Sequence, residues 1–194
     1  GELMAVKMLE AEEVSSRERH ALENEVRTLK NLGHPNIVRY LGVDSRSDTL
    51  AIFLEYVSGG SLRSLLDRFG RLEERVVRLY ARQILLGLEY LHANGIAHRD
   101  VKAANALLSQ DGIVKLADFG LAARFAPGEF LNGCGTVPFM SPEQLKNSCN
   151  AKCDVWACGC ILFQLMCGEY LVGSHLWEEN KKAHAILFSS EYGE

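Results

Sequence analysis

The sequence predicts an α+β fold in two unequal lobes, and three features predict it. Short alternating stretches that suit strands fill the first third. Longer apolar stripes at helical spacing fill the rest. Ser58-Gly59-Gly60 interrupts the chain between them. Residues 1–57 are expected to form a small β-rich lobe and residues 58–194 a larger helical one.

The elements follow in order. Leu3–Leu9 alternates enough to be a strand around Ala5-Val6-Lys7. Leu22, Val26 and Leu29 then recur at helical spacing among Glu, Arg and Lys, so Glu12–Leu32 reads as an amphipathic helix. Gly33-His34-Pro35-Asn36 stops it, because proline and the residue before it resist helix. Ile37–Val43 and Thr49–Tyr56 read as two strands about the polar turn Asp44–Asp48. After the glycines, Leu62, Leu65 and Leu66 open a short helix. Val77, Tyr80, Ile84, Leu88 and Leu91 mark a long one that ends at Asn94-Gly95. Short strands and loops run through Asp118, and a buried helix begins near Asp154.

Composition narrows the possibilities. Of the 194 residues 47% are hydrophobic and 24% charged, near globular averages, which excludes a disordered chain. A net charge of −4 argues against a nucleic-acid partner. The longest apolar run, Val155–Phe163, falls short of the roughly 20 residues that span a bilayer, and the acidic start holds no signal-peptide core. A cytoplasmic protein without a membrane partner is expected. Four of the six cysteines, Cys149, Cys153, Cys158 and Cys160, fall in one stretch whose spacing fits no zinc knuckle. Burial as small hydrophobes is the expected role.

The chemistry-bearing residues follow a fixed order. His98-Arg99-Asp100-Val101-Lys102-Ala103-Ala104-Asn105 is followed 18 residues after Asp100 by Asp118-Phe119-Gly120, and 25 residues later by Glu143 in Ser141-Pro142-Glu143. Upstream, Lys7 sits in a strand and Glu25 lies 18 residues further on, in a helix. Taken singly, the aspartates could be turn caps and Lys7 with Glu25 a weak surface pair. Taken in order, the set resembles the signature of the eukaryotic protein kinases. It covers about residues 1–169, and 170–194 only loosely. The implied fold is bilobal and protein-kinase-like, incomplete in both lobes.

The resemblance implies roles for these residues. Phosphoryl transfer asks a protein mainly to position nucleotide and hydroxyl and to neutralise phosphate charge. Asp100 would orient the substrate hydroxyl, and Lys102 would bring positive charge to the γ-phosphate of ATP. Asn105 and Asp118 would hold Mg2+ through hard oxygen atoms. Lys7, paired with Glu25, would contact the α- and β-phosphates. Leu54 would be the gatekeeper, the backbone of Glu55 and Val57 would bond adenine, and Leu107 would line the nucleotide site. Leu29, Tyr40, His98 and Phe119 would stack as a spine between the lobes, anchored by Asp154.

Asp100-x-Lys102 and Thr136 are similar to serine/threonine kinases. His34–Gly42, Gly59–Leu62 and Asp154–Cys160 resemble the mitogen-activated protein kinase kinase kinase branch. A protein substrate, which could itself be a downstream kinase, is implied.

Departures from the pattern set further expectations. The resemblance starts at the lysine strand, without the Gly-rich phosphate loop, and Trp177, Ile186, Leu187 and Phe188 match the later helices only vaguely. A piece of a kinase domain with weak Mg-ATP binding is expected, Glu143 would lack its family arginine, and an inactive scaffold is the alternative. Between Asp118 and Glu143 the only hydroxyl side chains are Thr136 and Ser141. Loop phosphorylation is therefore not expected to be the on-switch, and segments outside the lobes or dimerisation would control activity; the alternative is that Thr136 is the acceptor. Arg99, which receives that phosphate in the family, would need another anion or none, with Glu129 the nearest acidic candidate.

Overall fold

The computed structural model describes residues 3–10, 26–30, 32–45, 49–126 and 128–171. The alternating start does build strands. β1 (Met4–Glu10), β2 (Tyr40–Ser45) and β3 (Thr49–Glu55) form one antiparallel sheet in the order β1-β3-β2. Lys7 lies opposite Ile52, and Val6 opposite Phe53. Because side chains alternate along a strand, Met4, Val6 and Met8 share the exposed face. Lys7 shares the other face with the fully buried Ile52.

The second strand starts three residues later than the sequence suggests. Ile37 and Val38 are buried by the helical lobe instead of joining the sheet. Ile37 makes one parallel bridge to Leu116, Val38 N donates to Leu116 O (2.9 Å), and Leu116 N donates to Asn36 O (2.9 Å). The buried Asn36 Nδ2 adds a bond to Val114 O (2.8 Å). A register shift between Tyr40 and Gly42 then brings the chain onto β3. Of the expected first helix, residues 26–29 are helical and Leu29 is fully buried. Leu22 and Glu25, like Trp177, Ile186, Leu187 and Phe188, lie outside the described residues.

Past β3 the chain crosses into the helical part at the expected glycines. Gly59 N donates to Leu108 O (2.8 Å), and Leu108 N donates to Gly60 O (2.7 Å). The Leu108 carbonyl stands so close to Gly59 that a Cβ there would collide with it. α1 (Leu62–Phe69) starts at a capping box in which the side chains of Ser61 and Ser64 each accept the other's backbone N–H.

α2 (Glu74–Ala93) buries Val77, Tyr80, Ile84, Leu88 and Leu91 along one face and ends at Asn94 before a left-handed Gly95. Its Gly87 passes the Asn36 carbonyl with no room to spare for a side chain. Two short antiparallel pairs follow: β4 (Ile96–Ala97) with β7 (Ala123–Arg124), and β5 (Ala106–Leu108) with β6 (Val114–Leu116). Gln83 on α2 ties the second pair down, accepting from Val114 N (2.8 Å) and donating to Gly112 O (3.1 Å).

α3 (Pro142–Leu145) is a single turn, and α4 (Cys153–Cys167) runs buried against α2. Leu72 N donates to Leu165 O (2.9 Å), which fastens the start of α2 to α4. All six cysteines are free, and Cys158 and Cys160 are buried as expected. Burial pushes the Cys158 thiol up to about 12 and the Cys160 thiol up to about 11, so both behave as uncharged apolar groups. No helix among the described residues is long and apolar enough to cross a membrane.

One buried group on α4 is out of step with its surroundings. Gln164 is 1% exposed, and neither Oε1 nor Nε2 of its amide meets a hydrogen-bond partner. A buried amide without partners carries its desolvation penalty uncompensated. Gln164→Met, of similar length and shape, is expected to raise the unfolding free energy by about 1 kcal/mol in denaturant titration. A loss of stability would show that the amide is satisfied in solution.

Candidate functional site

The site is assembled on a turn held from below by α4. Asp154, 1% exposed, accepts from His98 N (Oδ2, 2.9 Å) and Arg99 N (Oδ1, 2.8 Å), and its Oδ2 also meets His92 Nε2 (2.8 Å). These bonds hold Arg99 at φ 66°, a left-handed conformation that a non-glycine residue rarely takes. The chain reverses there into Asp100, which is itself buried.

Asp100 is saturated with donors. Its Oδ1 accepts from Thr136 Oγ1 (2.7 Å), and its Oδ2 accepts from Lys102 Nζ (2.7 Å) and Asn105 Nδ2 (3.1 Å). Lys102 Nζ also donates to Thr136 Oγ1 (2.9 Å), closing a triangle of side chains 34 and 36 residues apart in sequence from Thr136. A carboxylate held this way has a fixed orientation and can accept a further proton donor only from its open side.

The second carboxylate lies across from the first. Asp118, also left-handed at φ 64°, receives Lys7 Nζ at 2.9 Å from β1. Burial would raise the Asp118 carboxyl, but the Lys7 hydrogen bond and charge, helped by His98 and Lys102, hold it below its ordinary value. Beneath it the Phe119 ring packs against His98 at 4.7 Å between centroids, and both residues are fully buried with Leu29. His98 Nε2 meets Ala117 O (3.1 Å), so the turn carrying Asp100 and the turn carrying Asp118 are bonded to each other. Tyr40, the fourth residue of the expected spine, packs against the same core.

The donor set fits a hard divalent cation. Asn105 Nδ2 donates to Asp100 O (3.0 Å) and Oδ2 (3.1 Å), which leaves its Oδ1 as the atom it can offer a metal. With the Asp118 carboxylate, that makes two hard oxygen groups that could be offered to a metal. Leu54, Val57 and Leu107 pack against one core at the junction between the sheet and the helical part. The Glu55 N–H is committed to Arg39 O (2.9 Å), so its carbonyl is the backbone group it could turn to a base. The Glu55 side chain holds Lys115 Nζ at 2.9 Å.

The Arg99 guanidinium is expected to meet another anion or none, and among the described residues it meets none. Glu129 does not answer Arg99; its Oε2 accepts from Ala126 N (2.7 Å) and closes its own turn. Arg99 instead donates from Nε to Leu121 O (2.7 Å) and from Nη1 to Asn132 O (3.3 Å), because two carbonyls of the segment lie within the reach of its guanidinium. Glu25 lies outside the described residues, and Lys7 is seen on Asp118. Among the described residues no cation pairs with Glu143.

Sequence reading passed over Gln144, which is 4% exposed and bonded to two separate loops. Its signal was available: Ser141-Pro142-Glu143-Gln144 is a capping-box pattern, and both reciprocal bonds form.

Comparison with known proteins agrees with this geometry. The protein kinase domain family matches residues 1–190. Mitogen-activated protein kinase kinase kinase ANP1 of Arabidopsis thaliana is 45% identical over 97% of the chain and 29% of its own length. Mitogen-activated protein kinase kinase kinase 3 of the same plant is 45% identical over 87% of the chain and 28% of its own length. The serine/threonine-protein kinase BCK1/SLK1/SSP31 of Saccharomyces cerevisiae is 43% identical over 87% of the chain and 12% of its own length. The chain thus spans less than a third of the length of these relatives.

The Lys7–Asp118 contact has a measurable consequence. A carboxyl whose folded value lies below its unfolded one adds stability above the unfolded value, near 3.8. That contribution is lost as pH falls through the lower folded value. In Lys7→Met burial is left to dominate, the folded value rises, and the sign of the contribution reverses. NMR titration of the Asp118 carboxyl is expected to give a midpoint below 3.8 in the wild type and above it in the variant. Equal midpoints would mean that Lys7 does not hold Asp118 in solution.

Proposed function

The chain belongs to the protein kinase domain family, and we propose that it transfers the γ-phosphate of ATP, with Mg2+, to a serine or threonine hydroxyl of a protein. The observation that carries this reading is the triangle Asp100–Lys102–Thr136 beside the Lys7–Asp118 pair. Relatives named as mitogen-activated protein kinase kinase kinases support a role in such a cascade, with a kinase of the next tier as the protein substrate.

In this mechanism Asp100 orients the attacking hydroxyl. The hydroxyl oxygen bonds to the γ-phosphorus as the bond to the β–γ bridging oxygen breaks, and ADP departs. The hydroxyl proton passes to the Asp100 carboxylate, whose orientation Thr136 and Lys102 already fix. Lys102, on the same carboxylate, faces the transferring group with positive charge. Bound Mg2+ supplies Lewis-acid neutralisation of phosphate charge, and Asn105 Oδ1 with the Asp118 carboxylate would hold it. Lys7 would turn from Asp118 to the α- and β-phosphates. Leu54, Val57 and Leu107 would sandwich the base, with the Glu55 carbonyl and the Val57 backbone meeting its edge. Nothing in this scheme asks for a phosphate on the loop, since Arg99 already has acceptors in Leu121 and Asn132.

Separate variants test the two carboxylates. Asp100→Asn is expected to lower transfer to a serine or threonine peptide by about 10²–10⁴-fold with Mg-ATP affinity within about 2-fold of the wild type. Asp118→Asn is expected to weaken Mg-dependent nucleotide binding as well. Calorimetric binding and a radiolabelled transfer assay measure the two effects. Loss of nucleotide affinity in Asp100→Asn equal to its loss of transfer would refute these roles, and a wild-type chain that phosphorylates no peptide would refute the function.

A further inference from the structure

The Arg99 peptide is gripped on both sides. Its N–H goes to Asp154, as described, and its carbonyl accepts from Gln144 Nε2 at 3.2 Å. The same Nε2 donates to Cys134 O in the segment that leads into Gly135-Thr136. Gln144 therefore spends its two amide hydrogens on two carbonyls that belong to different loops, one preceding Asp100 and one preceding Thr136. Its Oε1 accepts from Ser141 N (3.4 Å), a backbone bond that ties the side chain to the turn of α3, while the Gln144 backbone N–H donates to Ser141 Oγ (3.1 Å) and caps that turn.

The surroundings are built to that contact. Gly135, at φ 127°, lies against the Arg99 carbonyl so closely that any Cβ would collide with it, and Gly133 lies as closely against the Gln144 carbonyl. Gly133 N also donates to Asn147 Oδ1 (3.2 Å). Between the two loops and α4 only a cavity of about 10 Å³ remains, room for a single water. Small errors in the height of residues 133–135 would carry directly into Thr136, whose Oγ1 is the donor to Asp100.

We infer that Gln144 is a positioning residue for phosphoryl transfer: its amide sets the register between the Arg99–Asp100 turn and the Cys134–Thr136 segment, and so aims the Asp100 carboxylate. This rests on the function proposed above. It also gives the segment a fastening made wholly of neutral hydrogen bonds. The amide acts through Thr136 and Asp100 and touches neither nucleotide nor acceptor, so its loss changes the chemical step and leaves nucleotide binding alone.

The test compares Gln144→Met with Ser141→Ala in the full chain. Gln144→Met keeps the volume and removes both amide donors. Its kcat is expected to fall about 10-fold or more, with KM for ATP within about 2-fold of the wild type. Ser141→Ala removes the serine cap and keeps the Gln144 amide. It is expected to lower thermal stability with kcat within about 2-fold. Unchanged kcat in Gln144→Met, or an equal fall in both variants, would overturn the inference.

A second readout does not depend on turnover. Alkylation of Cys134 by iodoacetamide, followed by peptide mass spectrometry, is expected to be at least about 5-fold faster in Gln144→Met, because the Cys134 carbonyl is no longer tethered. A wild-type chain without transfer activity would count against the proposed function, and the labelling rates would still decide the role of Gln144. Equal labelling in wild type and variant would overturn it.

Discussion

The buried carboxylate of Asp154 is the constraint on which the site depends. It projects from the first turn of α4, where a helix favours negative charge, and it accepts from two consecutive backbone N–H groups of the turn above. Hydrogen bonds to a charged group contribute about 1.5–3 kcal/mol each, whereas a left-handed non-glycine residue costs about 1–3 kcal/mol. Two such bonds can therefore hold Arg99 where it would not otherwise stay. The contact with His92 Nε2 adds a third partner, so no acceptor oxygen of Asp154 is left bare in the core.

From that anchor the arrangement spreads outward by contact. Asp100 follows from Arg99, and three side-chain donors then lock its carboxylate. The packed rings of His98 and Phe119 carry the constraint to the turn of Asp118, and Lys7 carries it into the sheet. Each of the two carboxylates is matched by one lysine, Lys102 for Asp100 and Lys7 for Asp118. Without those partners, like charges on neighbouring turns would repel. The lysine pairs differ in setting: Lys102–Asp100 is largely buried and tied to the backbone framework, while Lys7–Asp118 is nearly half-exposed and more open to screening by salt.

Much of this was legible in the sequence because it is local. The stripe from Val77 to Leu91 marks α2, Asn94-Gly95 marks its end, and the ordered motifs mark the loops that hold Asp100 and Asp118. What the sequence hides is where nonlocal contacts override local pattern. Ile37 and Val38 read as strand because they are apolar and branched, yet the core beside Leu116 claims them. Glu129 reads as a partner for Arg99 because of its charge, yet a nearer backbone N–H claims its carboxylate. The capping box that joins Gln144 to Ser141 is local, but the second use of the Gln144 amide depends on two loops that meet only in the folded chain.

The central claim is that the Asp154 carboxylate holds the turn that carries Asp100. Backbone amide hydrogen exchange in Asp154→Asn tests it residue by residue, with the interior amides of α2 as the internal reference for global unfolding. The account predicts that the His98 and Arg99 amides exchange about 100-fold faster than in the wild type relative to that reference, the equivalent of one or two lost charge-assisted bonds. Unchanged protection at His98 and Arg99 in the variant would contradict it, because the turn would then be holding its shape without the carboxylate.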